Sequence, residues 1–482
     1  MILTAKILDE RGYFWWRDEA VPKGHFAPDG AVTGVLSIDS DGTIRLELDG
    51  SLASEHDPWA SIFDRGRDLS PEKAIQGKLK DSNRNVLLLG LRKNGGQVSS
   101  NGISYERFLA MQCLVSERNL PPLQKPLRFD ALEVDLKGLE EWLRIGNIET
   151  THWRSRITAK HRLPKPDVYR IDGGVLTIRY EISGPWANRS PRRSHTLTLV
   201  ESATISYAPT DRLSLSDMQS EYSMMQDLFI LLTGCEYALD WPRLKVGKTY
   251  YDLYFPRHRS SAEPPAWSDS WTNFVELQGC FGEVFSAWRR KRNEFGPGFY
   301  LYLGTRRGLK LYIEHRFVNL IWGLESLHRR KGDGASQSGK LQVKIERILR
   351  QVEGKADRAW LAKRLQNAGE PALHERIYES FSGLRLGLDS NHLRKFSEDC
   401  ARRRNDISHF GGQRHDGAYK DFLLDVAAKA DAVAYLYHAL LLQEIGVDAE
   451  IIKRSVLDGP QSFPIKHAFR QAGLLPPESA SH

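Results

Sequence analysis

The chain has 482 residues, 41% of them hydrophobic, which is enough for proper cores and carries a prior of about three domains. Lys and Arg number 68 against 61 Asp and Glu, so the formal charge is +7, a modest excess that permits an anionic partner without requiring one. The four cysteines, Cys113, Cys235, Cys280 and Cys400, are scattered with no C-x-x-C spacing, which points to a reducing compartment and away from structural zinc.

The first ten residues place Asp9-Glu10 where a secretory signal needs a continuing apolar core, so export is not expected. Apolar runs such as Leu228-Phe-Ile-Leu-Leu232 fall far short of the roughly 20 residues that span a bilayer. The expectation is a cytoplasmic protein without a membrane partner.

Residues 32 to 48 alternate apolar and polar on either side of Ser40-Asp41-Gly42, a hairpin signal. Strand patterns recur at Val86 to Leu91, Val175 to Ile182, Thr196 to Tyr207 and Thr249 to Phe255. Leu163-Pro-Lys-Pro-Asp167 and the segment Gly184 to Arg193 read as exposed loops between them. A helical pattern from Asp217 to Leu232 sets Tyr222, Met225, Phe229 and Leu232 on one side, where aromatic content suits a core better than a base-stacking platform.

From about residue 300 the period becomes helical. Ile313, Phe317, Leu320, Leu324 and Leu327 recur at spacings of four and three, as do Leu373, Ile377, Phe381, Leu384 and Leu388. Lys331 to Gly339 reads as a flexible loop, and Phe422, Val426, Val433, Leu436 and Leu440 mark a long helix ended by Gly446. The expected fold class is α+β and multidomain: a β-rich domain over 1–150, a second mixed β/α regulatory region over 151–299, a helical bundle over 300–460, and a tail over 461–482.

Several chemical patterns are incomplete. Gly247-Lys248-Thr249 resembles the end of a phosphate loop, but Pro242 stands where the pattern needs glycine, which leaves a turn. Glu181, in a strand preceded by Pro166-Asp167, lacks the lysine two residues on that a metal nuclease would need. Gly334-Ala-Ser336-Gln-Ser338 breaks the nucleophile-elbow pattern at its final glycine. His409, His415 and Asp416 have no second cluster to complete a metal shell, so neither a metal nor a cofactor is expected.

The most informative stretch is Cys400-Ala-Arg-Arg-Arg404-Asn405-Asp406-Ile407-Ser408-His409-Phe410-Gly411-Gly412. Arginine supplies a permanent planar cation matched to phosphate, and histidine a proton that moves near neutral pH. Five residues along a helix rotate by about 140°, so Arg404 and His409 share a face only if the chain bends, and Gly411-Gly412 suggests a helix end nearby. Leu393, Phe396, Cys400 and Ile407 form one apolar stripe, with Arg404 beside it. On spacing alone, Arg404 bonding a helix C-terminal carbonyl and His409 lying near a surface cap is the favoured reading. Arg289 to Arg292, His328 to Lys331 and Arg402 to Arg404 could converge on one positive groove, or each could be a solvated helix end. Glu325 and His328, three apart on one helix, share a face and could reach the site, a structural ion pair or solvent contact being the simpler role.

Arg404-Asn405 followed by His409, within an all-helical C-terminal third, resembles the Arg-x4-6-His signature of HEPN-superfamily ribonucleases. Glu314-His-Arg-Phe317 through Leu327-His328-Arg329 resembles the first helix of the ApeA-type branch. Gly12-Tyr-Phe-Trp15-Trp16, with Gly34-Val-Leu-Ser-Ile and Ile44 to Gly50, is similar to the N-terminal domain of the same abortive-infection proteins.

The resemblance implies an anti-phage toxin, a HEPN-type metal-independent endoribonuclease in which the β-rich region restrains or triggers the nuclease. An RNA 2′-hydroxyl would attack its own phosphate to leave a 2′,3′-cyclic phosphate and a 5′-hydroxyl. His409 would be general acid or base, Arg404 the phosphate clamp and Asn405 an orienting donor. Arg402, Arg403, Ser408, Arg329 and Arg330 are the expected RNA contacts. A homodimer would supply a second His409 for the leaving oxygen, and transfer RNA anticodon loops are the favoured substrate. A phage-derived trigger is a further implied partner. The alternative is a non-catalytic HEPN module that binds RNA or a protein.

Overall fold

A computed structural model describes residues 5–52, 69, 73–97, 102–120, 127–144, 146–184, 198–257, 263–307, 311–331, 338–365, 370–413 and 417–477. The chain forms two compact units. One comprises 1–140, 145–226 and 238–261; the other comprises 141–144, 227–237 and 262–482.

The first unit is built on a closed antiparallel barrel. Strands β1 (Lys6–Trp16), β2 (Val32–Asp39), β3 (Ile44–Leu48), β4 (Ile75–Leu79), β5 (Asn85–Gln97) and β6 (Tyr105–Ser116) follow the circuit β1-β2-β3-β6-β5-β4 and return to β1. Closure removes the free edges that an open sheet would expose. The hairpin expected around Ser40-Asp41-Gly42 is β2–β3, with Gly34 opposite Leu48 and Ile38 opposite Ile44. Alternation sends Phe14, Leu36, Ile38, Leu46, Leu88 and Phe108 into the barrel core. Gly77 stands opposite Phe14, and a side chain there would collide with the Phe14 ring.

Strand β6 also carries the rest of the same twelve-stranded sheet, on the edge that takes β3. Its N-terminal half pairs with β3, and Cys113 to Val115 pair with β16 (Thr249–Tyr254). From there the order continues through β15 (Arg243–Val246), β8 (Ala131–Asp135), β13 (Val200–Pro209) and β12 (Gly174–Ser183) to β11 (Asp167–Ile171). The phosphate-loop-like Gly247-Lys248-Thr249 is the β15–β16 turn, with Gly247 at φ 59°. Two small pairs complete the unit's strands, β7 (Arg128–Phe129) with β14 (Leu213–Ser214), and β9 (Ile148–Trp153) with β10 (Arg156–His161). The loop 184–193 lies largely outside the described residues.

The second unit is helical. A short α1 (Glu140–Leu143) precedes α2 (Leu215–Thr233), whose residues from Asp227 belong to this unit. Then come α3 (Phe274–Leu277), α4 (Phe281–Phe295), α5 (Pro297–Arg306), α6 (Ile313–Lys331), α7 (Ser338–Arg350), α8 (Lys355–Leu365), α9 (Leu373–Ser382), α10 (Ser390–Phe410), α11 (Tyr419–Glu444), α12 (Ala449–Leu457) and α13 (Ser462–Gln471). The β-rich first part and helical bundle are the fold class read from the sequence.

Helix α6 is the hub, packed against α4, α5, α9, α10 and α11 through buried Phe317, Leu320, Leu324 and Leu327. Its partner α11 buries Phe422, Val426, Val433, Leu436 and Leu440, and Gly446 at φ 90° follows its end.

Some expectations differ in extent. Helix formation begins well before residue 300, because Phe281, Phe285, Trp288 and Phe295 supply α4 with its own buried face. The stripe from Leu373 does not stay helical to Leu388: α9 stops at Ser382, and Leu384 and Leu386 are buried from the turn that follows. Residues 461–482, read as a tail, include α13, anchored by buried Ile465 and Phe469. Of the loop expected at 331–339, residues 332–337 lie outside the described ones, and Ser338-Gly339 already belong to α7.

Candidate active site

Helix α10 carries the Arg404, Asn405 and His409 trio. It starts at Asp389, whose carboxylate accepts hydrogen bonds from the backbone N–H groups of Asn391 and His392, each at 2.9 Å. It is seated by buried Leu393, Phe396 and Cys400, with Ile407 half-buried. It ends at Gly411, left-handed at φ 71°, whose N–H donates to the Ile407 carbonyl at 3.1 Å.

The helix is therefore unbroken from Ser390 to Phe410, and the bend expected between Arg404 and His409 is absent. The glycine stop acts after His409, because the left-handed residue is Gly411 and the turn before it keeps its helical hydrogen bonds. Arg404 and His409 consequently point about 140° apart around one helix. His409 is exposed and makes no side-chain hydrogen bond or ion pair among the described residues. Ser408 beside it is exposed as well.

Arg404 is held from two sides. Its Nη1 donates to Asn405 Oδ1 at 3.1 Å, and its Nη2 donates to Glu325 Oε2 at 3.3 Å across to α6. Its Nε is buried with no hydrogen-bond partner among the described residues. The guanidinium thus retains an unused donor while two of its other nitrogens are engaged by Asn405 and Glu325.

Glu325 is the centre of a wider cluster. Its other oxygen accepts from Arg329 at 3.1 Å and from Arg376 at 3.2 Å. Arg376, with only 5% of its side chain exposed, also donates to Glu370, and Arg329 reaches Glu370 at 3.1 Å. The hydrogen bond from Arg376 holds the Glu370 carboxyl below the usual carboxylate range. Three guanidinium groups therefore share two carboxylates. Sequence reasoning anticipated Glu325 as an ion-pair residue but missed Arg376, whose only signal was a charge inside the apolar stripe of Leu373, Ile377 and Phe381.

The remaining expected RNA contacts also have protein partners. Arg402 pairs with Asp399 at 2.5 Å while staying exposed, and Arg330 donates to the Glu294 carbonyl at 3.2 Å. Arg403 donates to Asp425 at 2.6 Å and lies over the Phe422 ring, tying α10 to α11. Burial raises the Asp425 carboxyl, but Lys429 and Arg403 outweigh it and bring it below its ordinary range. His328 turns to Glu379 at 2.7 Å rather than to Arg404. Lys291 and Lys331 both bind Glu444, so the first two basic runs meet at that carboxylate and the second and third at Glu325. The three runs are laced by carboxylates and do not form a bare cationic groove.

His415 and Asp416 lie outside the described residues. Among the described residues, no group of three or more His, Cys, Asp or Glu is placed to hold a metal ion, and no helix is long and apolar enough to cross a membrane.

The family model for ApeA N-terminal domain 1 matches residues 10–288, more than half of the chain. The chain belongs to the ApeA family. The model for the Apea-like HEPN domain matches residues 318–451, from within α6 into α12, and so spans Glu325, Arg376, Arg404, Asn405 and His409. No curated protein and no solved structure gives a match. The ApeA and HEPN assignments inferred from the two ends of the sequence are thereby shown, and they place the chain in a defence-associated HEPN nuclease family.

Proposed function

We propose that this ApeA-family protein is a metal-independent endoribonuclease of abortive infection, acting on RNA in the cytoplasm and favouring transfer RNA anticodon loops. The observation that carries the reading is the joint presence of Arg404, with an unbonded Nε, and solvent-facing His409 on one helix of the HEPN-matching segment. Arg404 stabilises charge on the phosphorane, and His409 moves a proton to or from the 2′-hydroxyl or the leaving 5′-oxygen. Asn405 holds the guanidinium plane, and Glu325 fixes it from the opposite side as a positioning residue.

The azimuthal gap between Arg404 and His409 favours a site shared by two copies, in which Arg404 of one chain works with the histidine of another. Arg402, Arg403, Arg329 and Arg330 serve the RNA backbone by exchanging carboxylate partners for phosphates. The test is cleavage of transfer RNA in EDTA by the wild type, His409→Ala and Arg404→Ala, with the oligomeric state of each measured.

A second reading is a non-catalytic HEPN module that binds RNA or a protein. It is favoured by the engagement of Arg404 with Glu325. RNA binding without cleavage under every condition would select it.

A further inference from the structure

Where strand β6 ends at Ser116, the first unit contains a cavity of about 350 Å³ that the nuclease reading does not use. Ser116 Oγ donates to the Tyr250 carbonyl at 3.0 Å and pins the β15–β16 hairpin beside it. Arg84, Arg118, Arg243 and Lys248 line the cavity, opposed by Glu117 and Asp252. Among the lining residues four cations face two carboxylates, with Glu10 and Glu133 standing behind Arg84 and Arg243.

The protein itself matches only part of this cationic charge. Arg84 lies 3.8 Å from Asp252 and 3.5 Å from Glu10, and its Nε is buried without a hydrogen-bond partner. Arg243 reaches Glu133 only at 4.0 Å, whereas Arg179 takes the same carboxylate at 2.9 Å. Arg118 and Lys248 make no ion pair among the described residues, and both are exposed. Burial raises the Asp252 carboxyl despite Arg84 and Arg243.

The volume lies at the small end of ligand sites, about 300–1,000 Å³, and suits a molecule of mononucleotide size. Guanidinium groups match phosphate oxygens with paired donors. Tyr250, 39% exposed and with the Arg243 guanidinium 5.8 Å from its ring centre, adds an aromatic surface at the same wall. Aromatic rings of this kind stack on bases whatever their identity.

We propose that this cavity binds a phosphorylated nucleotide, its phosphates held by Arg84, Arg118, Arg243 and Lys248 and its base laid on Tyr250. The inference is independent of the nuclease reading, because none of its residues lies in the HEPN-matching segment.

Isothermal titration of the full chain with ATP, pyrophosphate and adenosine, at low ionic strength, tests it. ATP binds once per chain, pyrophosphate binds more weakly, and adenosine does not saturate. Arg118→Glu and Lys248→Glu, both at exposed positions, each weaken ATP by about tenfold or more while the circular dichroism spectrum is unchanged. Tyr250→Ala weakens ATP but not pyrophosphate. Absence of saturable ATP binding, or ATP affinity unchanged by both charge reversals, would overturn the site. Equal affinity for ATP and pyrophosphate would overturn its assignment to a nucleotide.

Discussion

Glu325 on α6 and Arg404 on α10 meet at 3.3 Å, joining residues 79 apart in the chain and fixing the cation at the centre of the candidate site. The same glutamate receives Arg329 and the buried Arg376. One carboxylate thereby sets the position of Arg404 and balances charge in the bundle.

Replacing Glu325 should therefore affect both folding and cleavage. Glu325→Gln leaves three guanidinium groups with one carboxylate, and the loss of charge-assisted hydrogen bonds costs about 1–3 kcal/mol. The expected result is a lower denaturant midpoint together with slower RNA cleavage. A variant with both quantities at wild-type values would remove Glu325 from the account.

Arg404→Lys keeps the charge but loses the planar fork that Glu325 and Asn405 hold on separate nitrogens. Cleavage should fall by about tenfold or more, since one tenfold step corresponds to only 1.4 kcal/mol of transition-state stabilisation. Full activity in this variant would show that a point charge suffices.

Buried His438 gives the second unit a pH dependence of its own. Its Nε2 bonds the Leu231 carbonyl at 2.8 Å, its Nδ1 meets the Tyr302 hydroxyl at 2.5 Å, and its ring stacks on Trp271. Burial, aided by nearby Arg306, holds its pKa well below 6.5. The unfolded chain therefore binds a proton below about pH 6.5 that the folded chain refuses. This contribution to stability is complete above that pH and is lost as pH falls, by at most about 1.4 kcal/mol per pH unit for one proton. Unfolding midpoints across pH 5 to 8 should show a steeper acid loss for wild type than for His438→Gln, and equal slopes would contradict this assignment.

Barrel closure rests in part on Gly77 lying under the Phe14 ring. Gly77→Val forces that ring to move, and overpacking of this kind costs about 1–3 kcal/mol. A first unit as stable as the wild type, measured by hydrogen exchange in β1 and β4, would argue against it.

The hairpin at Ser40-Asp41-Gly42 and the stripes of α6 and α11 were legible because each is a local periodicity. Barrel closure was not, since β6 joins β3 on one edge and β5 on the other, and no local pattern encodes the pairing of Leu46 with Phe108. Helix α8 escaped notice because it buries no residue and so has no stripe to read. At the site, the residue types stood out in the sequence. The uninterrupted helix through His409 did not, because a glycine pair marks a stop without fixing which residue turns left-handed. Arg376 was hidden for a related reason: its partners Glu325 and Glu370 come together only when α6 and α9 pack.

The most direct test of the account is end-group analysis of transfer RNA cleaved by the purified chain in EDTA, with His409→Ala alongside. Fragments ending in 2′,3′-cyclic phosphate and beginning with 5′-hydroxyl, lost by about a hundredfold or more in the variant, are the predicted result. Fragments with 3′-hydroxyl and 5′-phosphate ends, or an unchanged product pattern from His409→Ala, would contradict it.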